Sequence, residues 1–144
     1  MTLHYSVRAQ RHDSHAALAR CKEAELVMDT DPAGRKDAFN PAELLLAAVA
    51  ACMLKNLERV APILSFRFSG AEVRLSGVRE DRPPRIVRID YEMLIETDET
   101  DRRLALMHEN IRKFGTISNT VAGAVDLQGV LRRAPSAAAS ALVD

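Results

Sequence analysis

The chain has 144 residues, and its 20 lysines and arginines are balanced by 20 aspartates and glutamates. This length suits one domain with a real core. Because the net charge is zero, the protein has no overall positive field that would attract nucleic acids or anionic membranes. The most apolar run, residues 44–54, falls well short of the roughly 20 residues that span a bilayer. We therefore expect no nucleic-acid partner and no membrane partner.

Cysteine usage and the N-terminus indicate the compartment. The two cysteines, Cys21 and Cys52, are too few for a secreted disulfide scaffold. The first residues, Met1 to Tyr5, lack the basic and apolar regions of a signal peptide. The simplest interpretation is a cytoplasmic protein with free thiols.

The first thirty residues are typical of short strands. Tyr5, Val7 and Ala9 alternate with polar residues and predict a half-buried strand. A turn over residues 11–14, a second strand over 16–22 and a third over 24–28 follow. The Asp-, Pro- and Gly-rich residues 29–34 predict a loop.

A strong helix signal comes next. Asn40 suits an N-cap, Pro41 suits the first helical position, and Glu43 stands where a capping-box acid reaches back. The helix should run to Val60 or Ala61, with Pro62 stopping it.

The apolar run 44–54 within this helix predicts how the helix packs. A helix that is apolar on all sides is buried on all sides, in a core or between subunits. Its alanines at 47, 48, 50 and 51 allow another helix to approach closely, and a dimer axis is one place for that contact.

The second half of the chain predicts a hairpin and two helices. Residues 64–80 should form a strand broken at Gly70, residues 81–84 a turn, and residues 87–95 an alternating strand of an antiparallel sheet. A helix with acids at 98, 99 and 101 and apolar residues at 104, 107, 111 and 114 should end at a left-handed Gly115. A short helix over 117–123 and a strand over 124–131 complete a single domain over residues 1–133, and residues 134–144 should be a loose tail.

Two segments together resemble a known family. The stretch from Asn40 to Cys52, NPAELLLAAVAAC, resembles the first motif of the OsmC/Ohr family (osmotically inducible protein C and organic hydroperoxide resistance proteins). Residues 115–121, GTISNTV, look like its second motif, of the type Cys-Pro-Val-Ser-Asn. The spacing between Cys52 and Gly115 also suits the family.

The resemblance implies a fold and an activity. The fold is an α+β, OsmC-like, intertwined homodimer, with antiparallel sheets wrapped around long central helices. The activity is reduction of organic hydroperoxides: one cysteine becomes a sulfenic acid, the second condenses with it to a disulfide, and a dithiol opens that disulfide. Two positions depart from this pattern. Gly115 replaces the second cysteine, and Ala42 replaces a glutamate that helps position an activating arginine, with Glu43 one place later.

Cys52, Arg11 and Glu43 are the candidate catalytic residues. A peroxidatic cysteine reacts as a thiolate, which nearby positive charge favours. The dipole of the helix fades long before Cys52. By helix geometry Lys55 is a near neighbour of Cys52, while the resemblance places an arginine in the N-terminal hairpin, where Arg11 matches best by position.

Each candidate also has a simpler interpretation. Cys52 suits a small buried apolar side chain. Capping accounts for Glu43, which points away from Cys52 on an ideal helix and would need a dimer to reach it. Cys21 either replaces the missing second cysteine or is incidental. The histidines at 4, 12, 15 and 108 have no metal-ligand spacing with the cysteines, so we expect no metal and no cofactor.

The sequence thus favours peroxide or thiol-redox defence. Cys52 would reduce organic hydroperoxides in a one-cysteine cycle, with a small thiol reductant as partner and a homodimer as the assembly. The alternative is a non-catalytic dimer that binds a small hydrophobic molecule in an interface pocket. A third possibility is a structural or regulatory dimer with an inert thiol.

Overall fold

The computed structural model describes residues 1–135, which fall into two compact units, Met1–Leu45 and the residues from Leu46 onwards. The elements in chain order are β1 (Arg8–Arg11), β2 (Ala16–Cys21), β3 (Ala24–Asp29), α1 (Pro41–Leu64), β4 (Gly70–Asp81), β5 (Pro84–Glu96), α2 (Asp101–Phe114), α3 (Thr116–Ala122) and β6 (Asp126–Arg133).

The first unit contains an antiparallel sheet in the order β1-β2-β3. Strands β2 and β3 are joined through Lys22 and Glu23, and Lys22 adopts the left-handed conformation with a φ of 55°. The predicted half-buried first strand is wrong in its bounds and its burial. Tyr5 and Val7 precede β1 and are exposed, as is every residue of β1. The reason is that β1 is a short edge strand, and alternation alone does not show that a face is covered.

The loop after β3 forms as predicted, and one buried acid organises it. Asp29 accepts hydrogen bonds from the backbone N–H groups of Asp31 and Arg35, each at 3.0 Å. Gly34 has a φ of 86°, a conformation that favours glycine. Local side-chain bonds of this kind compete with regular structure and explain why the strand ends here.

Both ends of α1 are closed by local hydrogen bonds. At the start, the Glu43 N–H donates to Asn40 Oδ1 at 2.8 Å and the Asn40 N–H donates to Glu43 Oε1 at 3.0 Å, which is the predicted capping box. At the end, Ser65 has a φ of 50° and the Phe66 N–H donates to the Ala61 carbonyl at 2.8 Å. This Schellman arrangement satisfies the terminal carbonyls.

Pro62 therefore does not stop α1 where the sequence predicts. The helix continues to Leu64, with Pro62 in its last turn. A proline there removes one N–H donor, and the hydrogen bonds that close the helix beyond it keep the last residues helical.

Burial of α1 follows one stripe of its surface. The fully buried residues recur at helical spacing: Val49, Met53, Asn56, Leu57, Val60 and Ala61. Leu46, Ala47, Ala48 and Ala50 are only half-buried, and Ala51 is exposed. A single chain covers one face of this helix, so burial of its other sides, which would need a second subunit, stays a prediction.

The second unit contains a mixed sheet in the order β4-β5-β6. The β4–β5 pair is antiparallel as predicted, whereas β6 lies parallel to β5 because α2 and α3 form the crossover between them. The predicted break at Gly70 is wrong: β4 begins at Gly70, and its register shift lies between Val78 and Arg79.

The buried face of β5 forms the centre of this unit. Its alternating side chains are predicted as core, and the structure confirms them as buried: Ile89, Tyr91, Met93 and Ile95. On β6, Gly129 pairs with Tyr91, and a β-carbon on Gly129 would lie 2.3 Å from the Tyr91 carbonyl oxygen. Glycine is the residue that permits this close approach.

Helix α2 covers the unit with an apolar stripe. Thr100 caps it by accepting from the Arg103 N–H at 3.3 Å, and Leu104, Met107 and Ile111 are buried as predicted. Phe114, predicted to share this stripe, is 51% exposed because it lies at the end of the helix.

Gly115 separates α2 from α3 in an extended conformation, with φ −81° and ψ 111°. The predicted left-handed cap is wrong. Backbone conformation does not explain the glycine, because residues of any type adopt these angles. The explanation lies in the contacts that this residue makes with α1.

Two further predictions concern the C-terminal tail and the ability of a helix to span a membrane. The predicted tail, residues 134–144, lies outside the described residues from 136 onwards. Among the helices of residues 1–135, none combines the length and the apolar character needed to cross a bilayer.

Candidate functional site

Cys52 lies on α1, in the second unit, and is half-buried. Its side-chain neighbour on the helix is Asn56, one turn later. The Asn56 amide Nδ2 donates to the Cys52 carbonyl at 2.9 Å and lies 3.6 Å from the Cys52 sulfur. The amide N–H is therefore a hydrogen-bond donor for the sulfur.

Gly115 lies directly against the same sulfur. A β-carbon built on Gly115 would stand 3.2 Å from Cys52 Sγ, 3.1 Å from Ser118 Oγ and 2.9 Å from the Ile111 carbonyl oxygen. These distances leave little room for a side chain at this position. The glycine is explained by close contact at the thiol.

Ser118 adds a second polar group to this cluster. It lies on α3, one helical turn after Gly115, and its side chain is buried. Within residues 1–135, the buried side-chain polar atoms that lack a hydrogen-bond partner are Ser118 Oγ and Asn56 Oδ1. Buried polar groups are normally paired, so each unpaired atom needs an explanation.

We define the thiol cluster as Cys52, Asn56, Gly115 and Ser118. Helix α1 contributes the first two residues, and the α2–α3 junction contributes the other two. In this cluster the Cys52 sulfur lies near the amide of Asn56, the hydroxyl of Ser118 and the backbone of Gly115, which has no side chain. Chemically it offers a nucleophile with hydrogen-bonding groups beside it, and no second thiol from this junction.

The other predicted site residues lie in the first unit. Arg11 ends β1 and is exposed. Glu43 is exposed and makes both hydrogen bonds of the capping box with Asn40. Cys21 ends β2 and is half-buried. Their catalytic roles stay predictions.

The cations of α1 point to solvent. Lys55 and Arg59, at i+3 and i+7 from Cys52, are both exposed. This side of the second half of α1 therefore faces solvent in the single chain. A cation that activates Cys52 would have to come from elsewhere, as the resemblance implies for Arg11.

Neither Asn56 nor Ser118 was among the site residues predicted from the sequence. A signal for Asn56 was present, because this amide interrupts the buried stripe between Met53 and Leu57. A polar side chain on the apolar face of a helix is the pattern to look for. Ser118 stands in the segment that resembles the family's second motif, but the sequence does not show that it lies near Cys52, because that approach joins distant parts of the chain.

A second polar cluster surrounds Tyr91. The Arg112 guanidinium donates to the Tyr91 hydroxyl at 3.1 Å, and that hydroxyl lies 2.5 Å from His108 Nε2. Burial, helped by the charge of Arg112, lowers the pKa of His108 below its usual 6.5. Since the guanidinium can only donate, the consistent arrangement has Tyr91 donating to an unprotonated Nε2.

No grouping of His, Cys, Asp and Glu side chains in residues 1–135 has the geometry to hold a metal ion. His15 instead pairs with an acid: its Nδ1 lies 2.7 Å from an Asp31 carboxylate oxygen on the surface of the first unit.

The fold and the thiol cluster together define an α+β protein whose candidate reactive group is a helix-borne cysteine facing the start of a later helix. The family model described as "OsmC-like protein" matches residues 34–128. The chain belongs to the OsmC-like protein family, and the resemblance found in the sequence is confirmed.

Solved structures share this fold. An OsmC-like protein from Mycoplasma pneumoniae superposes with a TM-score of 0.85 at 18% identity, covering 94% of this chain and 100% of that one. An organic hydroperoxide resistance protein OsmC from Legionella pneumophila gives 0.73 at 18% identity, covering 90% and 98%. The organic hydroperoxide resistance protein OhrB of Bacillus subtilis gives 0.62 at 21% identity, covering 90% and 98%. A search of curated proteins found no significant match. The predicted α+β, OsmC-like fold is confirmed, while the homodimer stays a prediction.

Proposed function

We propose that this protein reduces organic hydroperoxides through Cys52, in a one-cysteine cycle completed by an external small thiol. The observation that carries the proposal is the contact between the two family motifs. The position at which the family's second motif has its cysteine, Gly115, lies against the Cys52 sulfur. The thiol therefore stands where a peroxidatic cysteine is expected, and its usual resolving partner is replaced by a residue without a side chain.

The cycle balances with two co-reactants. The Cys52 thiolate attacks the terminal oxygen of a hydroperoxide, the O–O bond breaks, and the alkoxide leaves as an alcohol after taking up a proton. The sulfur is oxidised to a sulfenic acid. One small thiol displaces water from it to give a mixed disulfide, and a second releases the Cys52 thiolate and the oxidised small-molecule disulfide.

The organic hydroperoxide resistance proteins among the structural neighbours support the substrate class. The Asn56 amide supports the reaction at Cys52, because its N–H group lies within hydrogen-bonding distance of the sulfur that attacks. We assign Arg11 as the activating cation and Glu43 as a supporting carboxylate on the resemblance alone. The protein would act in peroxide defence in the cytoplasm.

The assembly we propose is a homodimer. The half-buried, alanine-rich surface of α1 at Leu46, Ala47, Ala48 and Ala50 favours packing against a second copy. Removing such apolar surface from water is the ordinary driving force for association. Sedimentation should give twice the chain mass at micromolar concentration; a monomer would contradict this part of the proposal.

Stopped-flow kinetics test the activity. Reduced protein is mixed with tert-butyl hydroperoxide, and consumption is compared with that by an equal concentration of a small free thiol. We expect consumption at least ~100-fold faster than by that thiol, because an activated thiolate replaces a mostly protonated one. Cys52→Ser should abolish it, whereas Cys21→Ser, the matched control at the other cysteine, should retain it.

Two results would overturn the proposal. Consumption at the rate of a free thiol, or a rate unchanged by Cys52→Ser, removes the peroxidase function. A dependence on Cys21 instead would replace the one-cysteine cycle by one with two.

The same half-buried surface of α1 also favours the binding alternative, a dimer that holds a small hydrophobic molecule without chemistry. Native mass spectrometry of freshly purified protein distinguishes it. A co-purified apolar ligand together with absent hydroperoxide consumption would favour binding over catalysis.

A further inference from the structure

The two unpaired buried groups of the thiol cluster point to a ligand atom. Asn56 is 4% exposed and Ser118 is 1% exposed. In the part of the chain that the structure describes, Asn56 Oδ1 and Ser118 Oγ lack a hydrogen-bond partner. Burial of an unpaired polar group costs free energy, so a species that pairs both atoms would be stabilised at this site.

The orientation of the Asn56 amide is set by its own bonds. Nδ2 donates to the Cys52 carbonyl, which accepts only, so the nitrogen and oxygen of the amide cannot be exchanged. The amide oxygen is therefore the free end of the group. It can accept a hydrogen bond from a hydroxyl group bound to the neighbouring sulfur.

Gly115 lets the sulfur and the serine lie close to one backbone segment. The point at which its β-carbon would stand lies 3.2 Å from Cys52 Sγ and 3.1 Å from Ser118 Oγ. The sulfur and the hydroxyl therefore both lie beside the Gly115 backbone, with no side chain of residue 115 between them. A cysteine at this position would place its own side chain against both groups.

We propose that Asn56 and Ser118, with no side chain of residue 115 between them and the sulfur, bind the oxygen of a Cys52 sulfenic acid and make it long-lived. This inference rests on the proposed reaction of Cys52 with a hydroperoxide. A sulfenic acid adds one oxygen to the sulfur and carries both a donor and an acceptor. Ser118 donates to that oxygen, and the sulfenic O–H donates to Asn56 Oδ1. Both unpaired atoms are then satisfied only in the oxidised form.

The chemical consequence is a different fate for the oxidised sulfur. In a protein with two cysteines the sulfenic acid is consumed at once by its neighbour. In this chain the hydrogen bonds hold it until a small thiol arrives, which displaces water and forms the mixed disulfide. Asn56 and Ser118 thus take the place of the resolving cysteine by preserving the intermediate instead of consuming it.

The lifetime of the sulfenic acid tests the proposal. Cys21→Ser protein, used as the background so that one thiol remains, is oxidised without any reductant. The gain of one oxygen atom is followed by intact mass spectrometry and by trapping with dimedone. Ser118→Ala is expected to shorten the lifetime at least ~fivefold, the size of effect of one lost hydrogen bond. Asn56→Ala should shorten it similarly.

Matched controls separate this role from a general loss of packing. Asn110 makes the same local bond as Asn56, from its Nδ2 to the Leu106 carbonyl at 2.9 Å, but it is only half-buried. Thr120 is an exposed hydroxyl of α3, bonded to the Thr116 carbonyl at 2.8 Å. Asn110→Ala and Thr120→Ala should leave the lifetime unchanged.

The outcomes are separable from those of the proposed function. Slow consumption of tert-butyl hydroperoxide defeats the peroxidase proposal, but excess hydrogen peroxide still generates the sulfenic acid for the lifetime measurement. A wild-type lifetime in folded Ser118→Ala and Asn56→Ala overturns the inference. So does failure to trap any sulfenic acid in the parent protein under excess hydrogen peroxide.

Discussion

Gly115 and Cys52 are in direct contact across the two family motifs of this chain: a β-carbon on Gly115 would lie 3.2 Å from the Cys52 sulfur. Two residues that are far apart in the sequence are thus brought together at the Cys52 sulfur. The distance is close to what a disulfide requires, since bonded cysteines bring the β-carbon of one residue near the sulfur of the other.

The first prediction is that Gly115→Cys restores a disulfide. One equivalent of hydroperoxide should convert the reduced variant into a form with an internal bond between Cys52 and the introduced cysteine, detected as a loss of two hydrogens in the intact mass. A shift of the backbone is needed, because the added β-carbon would lie 2.9 Å from the Ile111 carbonyl oxygen. Gly115→Ser, of similar size, controls for that shift. A Gly115→Cys protein that retains an unbonded sulfenic acid would contradict the prediction.

The second prediction concerns Arg11 as the activating cation. Arg11→Gln should slow hydroperoxide consumption about tenfold, because loss of a nearby cation reduces the thiolate fraction of Cys52. Alkylation by iodoacetamide, measured against pH, should slow in parallel. Arg8 is the matched control, since residues three apart on β1 point to opposite faces of the strand. Equal effects of Arg8→Gln and Arg11→Gln would indicate a loss of general positive charge and rule out a specific role.

The third prediction separates the two interpretations of Glu43. Asn40→Ala and Glu43→Ala should each lower the free energy of unfolding by about 1 kcal/mol, because each removes half of the capping box. Glu43→Gln should retain wild-type stability, since glutamine can make the same bond. Urea denaturation measures all three variants.

The Glu43→Gln variant then decides the catalytic assignment. Stability is preserved while the charge is lost, so a slower reaction with hydroperoxide identifies a catalytic carboxylate. An unchanged reaction leaves Glu43 as a helix cap and removes it from the site.

The fourth prediction is a loss of stability in mild acid through His108. Its pKa is lowered by burial and by Arg112, so the unfolded chain takes up the proton more readily than the folded one. Stability is complete above the ordinary pKa of 6.5 and falls as the pH drops below that value toward the lowered pKa. Protonation also breaks the bond that Nε2 accepts from Tyr91.

Urea denaturation at about pH 7.5 and about pH 5 tests whether the free energy of unfolding falls at the lower pH. His108→Gln should reduce the difference in unfolding free energy between the two conditions, because it removes the titrating group. His4→Gln, at an exposed histidine, is the control and should retain the full difference. A His108→Gln protein with the wild-type pH dependence would show that other groups cause it.

The sequence predicted what local interactions decide. The start of α1 depends on bonds between Asn40 and Glu43, three residues apart, so it could be derived without a fold. Alternation along β5 likewise predicted its buried face. The end of α1 was missed because its closure depends on the unusual conformation of Ser65, which no sequence rule for serine indicates.

The amino-acid sequence by itself determined the two motifs, the central helix and the family, because these depend on residue types at fixed spacings along one element. Only the tertiary structure decided what surrounds the thiol. The sequence predicts a left-handed cap at Gly115, whereas its extended backbone and its contact with Cys52 give the glycine a different reason. Asn56 and Ser118 gained importance only when burial removed their access to other partners. The physical reason is that the environment of a reactive atom is made by residues distant in sequence, and packing alone brings them together.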